Sequence, residues 1–185
     1  MVSQFISPDK VNLLADLDFN FPEGTSAVGR LDNHSEGLLI LTTNKKLQKL
    51  LFLSKEPHTR KYLILIRGFI SAENVQQLRE GVSIKIKGGE FYKTKPCEVE
   101  VVSMPENLPE STFVFDPKIP HTWLTITLTE GKYHQVRKMV GVLHHPVRRL
   151  IRLSIEDLEI GDMIAGEVRE LEEEEIFKRL RIKKY

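Results

Sequence analysis

Asp32 sits in the stretch Gly29-Arg30-Leu31-Asp32-Asn33-His34-Ser35-Glu36-Gly37, which runs straight into the apolar residues Leu38, Leu39, Ile40 and Leu41. The two glycines allow turns or close backbone approaches that a β-carbon forbids. A carboxylate placed just ahead of a buried strand can be held rigidly while it faces a cleft. Such a group has acid–base and nucleophilic chemistry open to it. The ordinary reading stands beside this one: an Asp next to Gly usually serves a turn or caps a helix.

The second chemical signal is charge. From Glu130 to Arg152 the chain carries Lys132, Arg137, Lys138, Arg148, Arg149 and Arg152 against one acid, with His134, His144 and His145 in the same window. From Glu156 to Glu175 ten acids face Arg169 alone. The two blocks nearly cancel, so a formal net charge of +1 hides a basic surface of the kind that phosphates need.

Other chemistries lack their residues. One cysteine, Cys97, excludes an internal disulfide framework and a multi-cysteine zinc site. His134, His144 and His145 have no acid or cysteine at ligand spacing, so no metal is expected. His34 and Ser35 are neighbours without a nucleophile elbow, and no phosphate-binding or dinucleotide glycine pattern occurs. The run Glu172–Glu175 reads as a solvated helix face. No apolar run approaches a membrane span, and the N-terminus lacks a signal pattern, so a cytoplasmic protein is expected.

These residues need elements to position them. With 185 residues, 41% hydrophobic and 29% charged, the chain can bury one good core with two sub-lobes. Residues 2–6 read as a short strand, 11–17 as a short helix or turn, and 38–41 as a strand. Leu47, Leu50 and Leu51 fall on one helical face with Asn44 as N-cap. Residues 59–68 read as a strand closing at Gly68. A helix is expected from a Ser71 cap to a Gly81 stop. Residues 82–104 are β-rich, with a turn at Gly88-Gly89 and a strand over 97–102. Four prolines make 105–120 an exposed excursion. Residues 123–128 alternate as a strand, and 133–143 put Val136, Met139, Val140 and Leu143 on one helical face. Strands at 147–153 and 158–160 follow, and the tail from Gly166 reads as a short strand and then a charged helix. Strands outnumber helices without alternating with them, which predicts an α+β fold built on a mostly antiparallel central sheet with flanking helices.

Several of these segments carry a resemblance. The stretch from Gly29 to Asn44 resembles the signature of the RsuA-type family of rRNA pseudouridine synthases, in which GRLD precedes a polar loop, Gly and a leucine-rich strand. Arg60-Lys61-Tyr62-Leu63 resembles the family's K-x-Y motif, and Glu130-Gly-Lys-Tyr-His-Gln-Val-Arg-Lys-Met its EGKxxQVRRM motif. The residues from Val142 to Leu153 are similar to the stretch that ends in L-x-R, and those from Ala165 to Leu171 to the closing G-E-x-R-x-L segment. The kinship is nearest to the short RluE-like members without an S4-like RNA-binding domain. The sequence departs from the family at His134, where Arg or Asn is more usual. It also lacks a second acid at Asn33-His34, an acid and Gly at residues 43–46, and the lysine-proline-aromatic lead-in before Met1-Val-Ser-Gln-Phe.

The resemblance implies a single catalytic domain over residues 1–185, with two sub-lobes around a central cleft, that isomerises a uridine of ribosomal RNA, in the first place large-subunit rRNA, without a cofactor. It assigns Asp32 to cleavage of the N1–C1′ bond, either by attack or by removal of a sugar proton. It assigns Tyr62 to stacking on the base and Arg137 to pairing with Asp32 and keeping it ionised. Arg30, Lys61, Lys132, Gln135, Lys138, Arg148, Arg149 and Arg152 become candidates for RNA contact. Ribosomal RNA is the expected partner, with the chain monomeric and away from membranes. Taken singly, Tyr62 could equally be a core strand tyrosine and Arg137 a solvated helix residue. A non-catalytic RNA-binding or ribosome-assembly factor on the same fold is the alternative.

Overall fold

The computed structural model describes residues 1–52, 56–106, 108, 116 and 118–183. Its main sheet has the strand order β10 (Leu158–Glu159), β9 (Val147–Ile155), β4 (Arg60–Arg67), β8 (His121–Leu128), β7 (Glu98–Val102). All of those neighbours are antiparallel. The short β2 (Glu36–Gly37) adds to β9 in parallel. Two smaller pairs complete the strands, β1 (Ser26–Val28) with β3 (Ile40–Thr42) and β5 (Ser83–Lys85) with β6 (Phe91–Lys93). Helices α1 (Leu47–Phe52), α2 (Ala72–Glu80), α3 (Gln135–Gly141) and α4 (Glu173–Arg179) flank them. The expected α+β architecture is therefore present.

Period-two alternation sorts the central strands into two faces. On β4, Ile64 and Ile66 join Leu124, Ile126 and Leu150 in a core that α2 covers with Val75 and Leu78, and α3 with Val136, Met139 and Val140. Leu63 and Leu65 face the other way, onto Trp123 and Ile151. A separate cluster gathers Val28, Leu38, Ile40, Leu47, Leu51, Ile155, Leu158 and Leu180. Ser71 caps α2 by accepting the Asn74 N–H at 3.1 Å, and Gly81 stops it with φ +91°.

Three sequence expectations differ from the structure. Residues 2–6 form no strand, because their amides are spent locally: Val2 donates to the Asn12 carbonyl and Gln4 to that of Val2. The apolar run at 38–41 divides in two. Leu38 donates its N–H to the Arg152 carbonyl at 2.9 Å, while Ile40 already pairs with Val28 of β1. No strand forms after Gly166, where Arg169 instead folds back onto Asp162 and Glu167. The excursion expected at 105–120 lies largely outside the described residues.

Candidate active site

The loop from Gly29 to Ser35 joins β1 to β2, and three attachments fix it. Ser3 Oγ accepts the Leu31 N–H at 3.0 Å and donates to the Leu31 carbonyl. Ser35 N–H turns back to the Asp32 carbonyl at 2.8 Å. At the far end Glu36 and Gly37 pair with Ile151 and Arg152 of β9. Gly29, at φ +74°, lies against the Phe52 ring, where a β-carbon would come within 2.9 Å of it. Asp32 is thus carried on a braced loop, with its side chain 31% exposed.

Asp32 borders a cleft of about 600 Å³ shared with Arg30, Arg60, Tyr62, Lys95, Glu130, Lys132, Tyr133, His134, Gln135 and Arg152, among others. A larger hollow of about 1520 Å³ is lined by the N-terminal segment, by Leu31, Asn33, His34 and Ser35 of the same loop, by Arg137 and by residues 158–179. It contains neither Asp32 nor Tyr62. Tyr62 is half-buried at the end of the apolar face of β4, where the cleft begins. Its cross-strand neighbour on β9 is Arg152, near enough for the two side chains to act on one another electrostatically.

Arg137 reaches the same loop, with a difference from the expected pairing. Its Nη2 donates to the His34 carbonyl and to Ser35 Oγ, the latter at 3.3 Å. Burial pulls the guanidinium below its ordinary pKa, and the Asp32 charge opposes that shift. Asp32 and Arg137 are therefore electrostatic neighbours, but the side chain in ion-pair range of Asp32 is His134, with Nε2 3.5 Å from Oδ1. His134 takes the left-handed conformation, φ 55°, at the head of α3, and its ring stacks on Tyr133 at 3.8 Å. Sequence reasoning marked His134 only as a departure from a pattern.

The RNA-contact candidates divide by environment. Arg30 and Lys132 are exposed on the cleft, Lys132 also lying over the Tyr92 ring at 4.6 Å. Lys61 is exposed but alternates onto the strand face opposite Tyr62, away from the cleft. Lys138 packs its ammonium 5.3 Å from the centre of the Tyr133 ring, outside the cleft lining. Arg148 is exposed and borders the larger hollow instead.

Three candidates are buried and hold the protein's own groups. Gln135, 4% exposed, donates to Glu130 Oε1 at 2.7 Å and accepts the Lys132 N–H at 2.8 Å, so it shapes the turn into α3. Arg149, 7% exposed, holds Glu36 through two hydrogen bonds of 2.9 and 2.7 Å. Arg152, 4% exposed, donates from Nε to the Leu38 carbonyl at 2.7 Å. Lys95, Arg60 and Tyr133 line the cleft without having been singled out. Arg60 stood in a quoted motif, and the strand alternation that puts it on the Tyr62 face was its available signal.

Glu130 organises the cleft wall. Burial pushes its carboxyl up, but hydrogen bonds from Tyr92, Lys95 and Gln135 and the Lys132 charge outweigh this and hold it below its ordinary value. Cys97 is no nucleophile: burial pushes its thiol up to about 11, and Sγ donates to the Leu78 carbonyl at 3.2 Å. Among the described residues no group of three or more His, Cys, Asp or Glu side chains could hold a metal ion. No helix there is long and apolar enough to cross a membrane.

Comparisons with known proteins agree with this architecture. Residues 8–141 match the family model described as RNA pseudouridylate synthase. The chain is 36% identical over 172 residues to a ribosomal large subunit pseudouridine synthase E of Vibrio parahaemolyticus, covering 92% of this chain and 69% of that protein. A protein of the same name from Xanthomonas axonopodis is 32% identical over 159 residues, covering 85% and 81%. A solved structure titled as a pseudouridylate synthase superposes with a TM-score of 0.69 at 26% identity, covering 88% of this chain and 63% of that one. The expected kinship to the RluE-like proteins agrees with the relatives' names, and the chain belongs to the RNA pseudouridylate synthase family.

Proposed function

We propose that this protein isomerises a uridine of large-subunit ribosomal RNA to pseudouridine, with Asp32, Tyr62 and Arg137 as its central residues. The observation that carries this reading is the placement of the Asp32 carboxylate, on a loop braced at both ends, at a cleft whose inner end is the Tyr62 ring. A uridine flipped out of its stack enters the cleft and lies against Tyr62. Asp32 then starts the break of the N1–C1′ bond, by attack on C1′ or by removal of the C2′ proton. Arg137 positions the Asp32 loop through the His34 carbonyl and Ser35 and adds a positive charge beside the carboxylate. Arg30, Lys95 and Lys132, exposed around the cleft, meet the phosphates. The chain works as a monomer in the cytoplasm, as a single catalytic domain. The relatives named as large-subunit enzymes support the choice of RNA.

The test is to incubate the protein with large-subunit rRNA transcribed without pseudouridine and to map new sites. Wild type is expected to form pseudouridine at a defined position. Asp32→Asn is expected to form none while binding RNA as tightly. Binding without conversion by wild type would instead identify an RNA-binding or assembly factor on this fold.

A further inference from the structure

The inner end of the cleft holds two guanidiniums that the reading above leaves without a task. Arg60 and Arg152 are 7% and 4% exposed. Both share the strand face of Tyr62, Arg60 two residues before it on β4 and Arg152 opposite it on β9. The Arg60 charge acts on Arg152. Arg60 lies over the Phe52 ring at 4.8 Å, and the acid that acts on it, Glu156, is already engaged by Thr59, His58 and Arg181. Arg152 Nη2 is buried and has no hydrogen-bond acceptor among the described residues.

Burying a guanidinium with one N–H group unsatisfied is costly, and a second cation beside it adds repulsion. An anion in the cleft would recover that free energy. Backbone phosphates stay outside, where exposed cations wait, whereas the base is the part of the nucleotide that reaches Tyr62. Building on the proposed function, we propose that Arg60 and Arg152 stabilise the detached uracil as its anion. They act as charge-stabilising residues on the base, distinct from the Asp32 side that acts on the sugar.

The chemistry balances without a co-reactant. The N1–C1′ bond breaks with its electron pair left on N1, so the base separates as uracil anion. Asp32 meanwhile bonds C1′ or takes the C2′ proton. The base turns, and an electron pair of C5 forms the new bond to C1′ as Asp32 departs or returns its proton. C5 sheds its proton and N1 gains one, which gives the isomer. Positive charge fixed on buried side chains lowers the free energy of the anionic stage without having to reorganise. It also holds the free base while it turns.

The test compares leaving groups. Single-turnover cleavage of the N1–C1′ bond is measured on large-subunit rRNA transcripts containing either uridine or 5-fluorouridine, whose base forms the more stable anion; with fluorine in place of the C5 proton, the second substrate stops after rejoining through C5. Arg60→Met and Arg152→Met are expected to slow the uridine transcript by about 100-fold but the fluorinated one by several-fold less. Arg152→Lys should restore part of the rate. Equal losses on both transcripts, no loss, or a loss explained by weaker RNA binding would overturn the proposal, the last pointing to phosphate contact. If the variants do not fold, inhibition of wild type by free 5-fluorouracil decides: it should tighten as pH rises through the ionisation of the base, and a flat profile overturns the proposal. Wild type that converts no uridine would sink the proposed function itself, whereas active wild type with no leaving-group dependence sinks this inference alone.

Discussion

Gly37 presses on the backbone of Arg152: a β-carbon at Gly37 would lie 2.3 Å from the Arg152 carbonyl oxygen and 2.6 Å from its amide nitrogen. That approach lets β2 pair with β9 and brings the Asp32 loop beside Arg152 and Tyr62. Gly37 also has φ +102°, where a side chain is strained by about 1–3 kcal/mol. Gly37→Ala meets strain and clash together and is expected to lower stability by more than that range and to abolish most conversion. Gly24→Ala, at φ +82° with open space around it, incurs the strain alone. Denaturant unfolding of both variants separates the two effects, and equal losses would remove the role given to the Gly37–Arg152 contact.

Arg137 holds two consecutive residues of the loop, both through its Nη2, and so positions Asp32. Arg137→Ala is expected to cut single-turnover conversion by about 100-fold with RNA affinity nearly unchanged. Arg137→Lys should recover part of the rate, because both bonds leave a single nitrogen and an ammonium can donate to two acceptors. A large loss of affinity with normal single-turnover rates would assign Arg137 to the RNA instead.

Much of this was legible in the sequence, for physical reasons that differ by residue. The helix from Ala72 to Glu80 announced itself through a Ser cap and a Gly stop, both local signals. Asp32, Tyr62 and Arg137 stand in motifs, and the fold draws their segments together from widely separated positions. The partition of the arginines was not legible. Arg148 and Arg149 are adjacent and alike in type, yet strand alternation exposes one and buries the other against Glu36. A bulge in the β4–β9 pairing between Lys61 and Tyr62 sets which β9 residue meets Tyr62, and such a register shift leaves no compositional trace. The proximity of His134 to Asp32 depends on a left-handed backbone at the head of α3, which a non-glycine residue seldom adopts.

Arg148 and Arg149 are accordingly expected to fail differently. Arg149→Ala leaves Glu36 without its two charge-assisted hydrogen bonds and should destabilise the fold by about 1–3 kcal/mol. Its effect on the salt dependence of RNA binding should be small. Arg148→Ala should leave unfolding unchanged and reduce the salt slope by about one phosphate's worth if RNA reaches that surface. Unfolding curves and binding at several salt concentrations distinguish the pair, and a reversed pattern would contradict the burial argument.

Glu130 gives the fold an acid-sensitive joint. Its carboxyl lies below its ordinary value of 4.5, because the hydrogen bonds from Tyr92, Lys95 and Gln135 and the Lys132 charge outweigh the effect of burial. A depressed carboxylate contributes stability above its unfolded pKa and loses it as pH falls through the folded one. Glu130→Gln is therefore expected to be less stable than wild type at neutral pH. The gap should hold steady down to about pH 5 and close in more acid solution. A gap that widens on acidification would reverse the sign of the shift.

Tyr133 offers the RNA an aromatic face at the edge of the cleft. It is 68% exposed, backed by the stacked His134 ring and accompanied by the Lys138 ammonium. A solvent-facing ring of this kind stacks on a base for about 1–3 kcal/mol without reading its identity. Tyr133→Ala is expected to weaken RNA binding within that range while leaving the salt slope unchanged, since no charge is lost. Tyr133→Phe should bind as wild type does, because the stacking face survives. Conversion of fully bound RNA should continue in both variants if Tyr133 serves capture alone. Single-turnover rates at saturating protein check this, and a fall in rate for Tyr133→Ala under those conditions would place the ring in the positioning of Asp32 through His134.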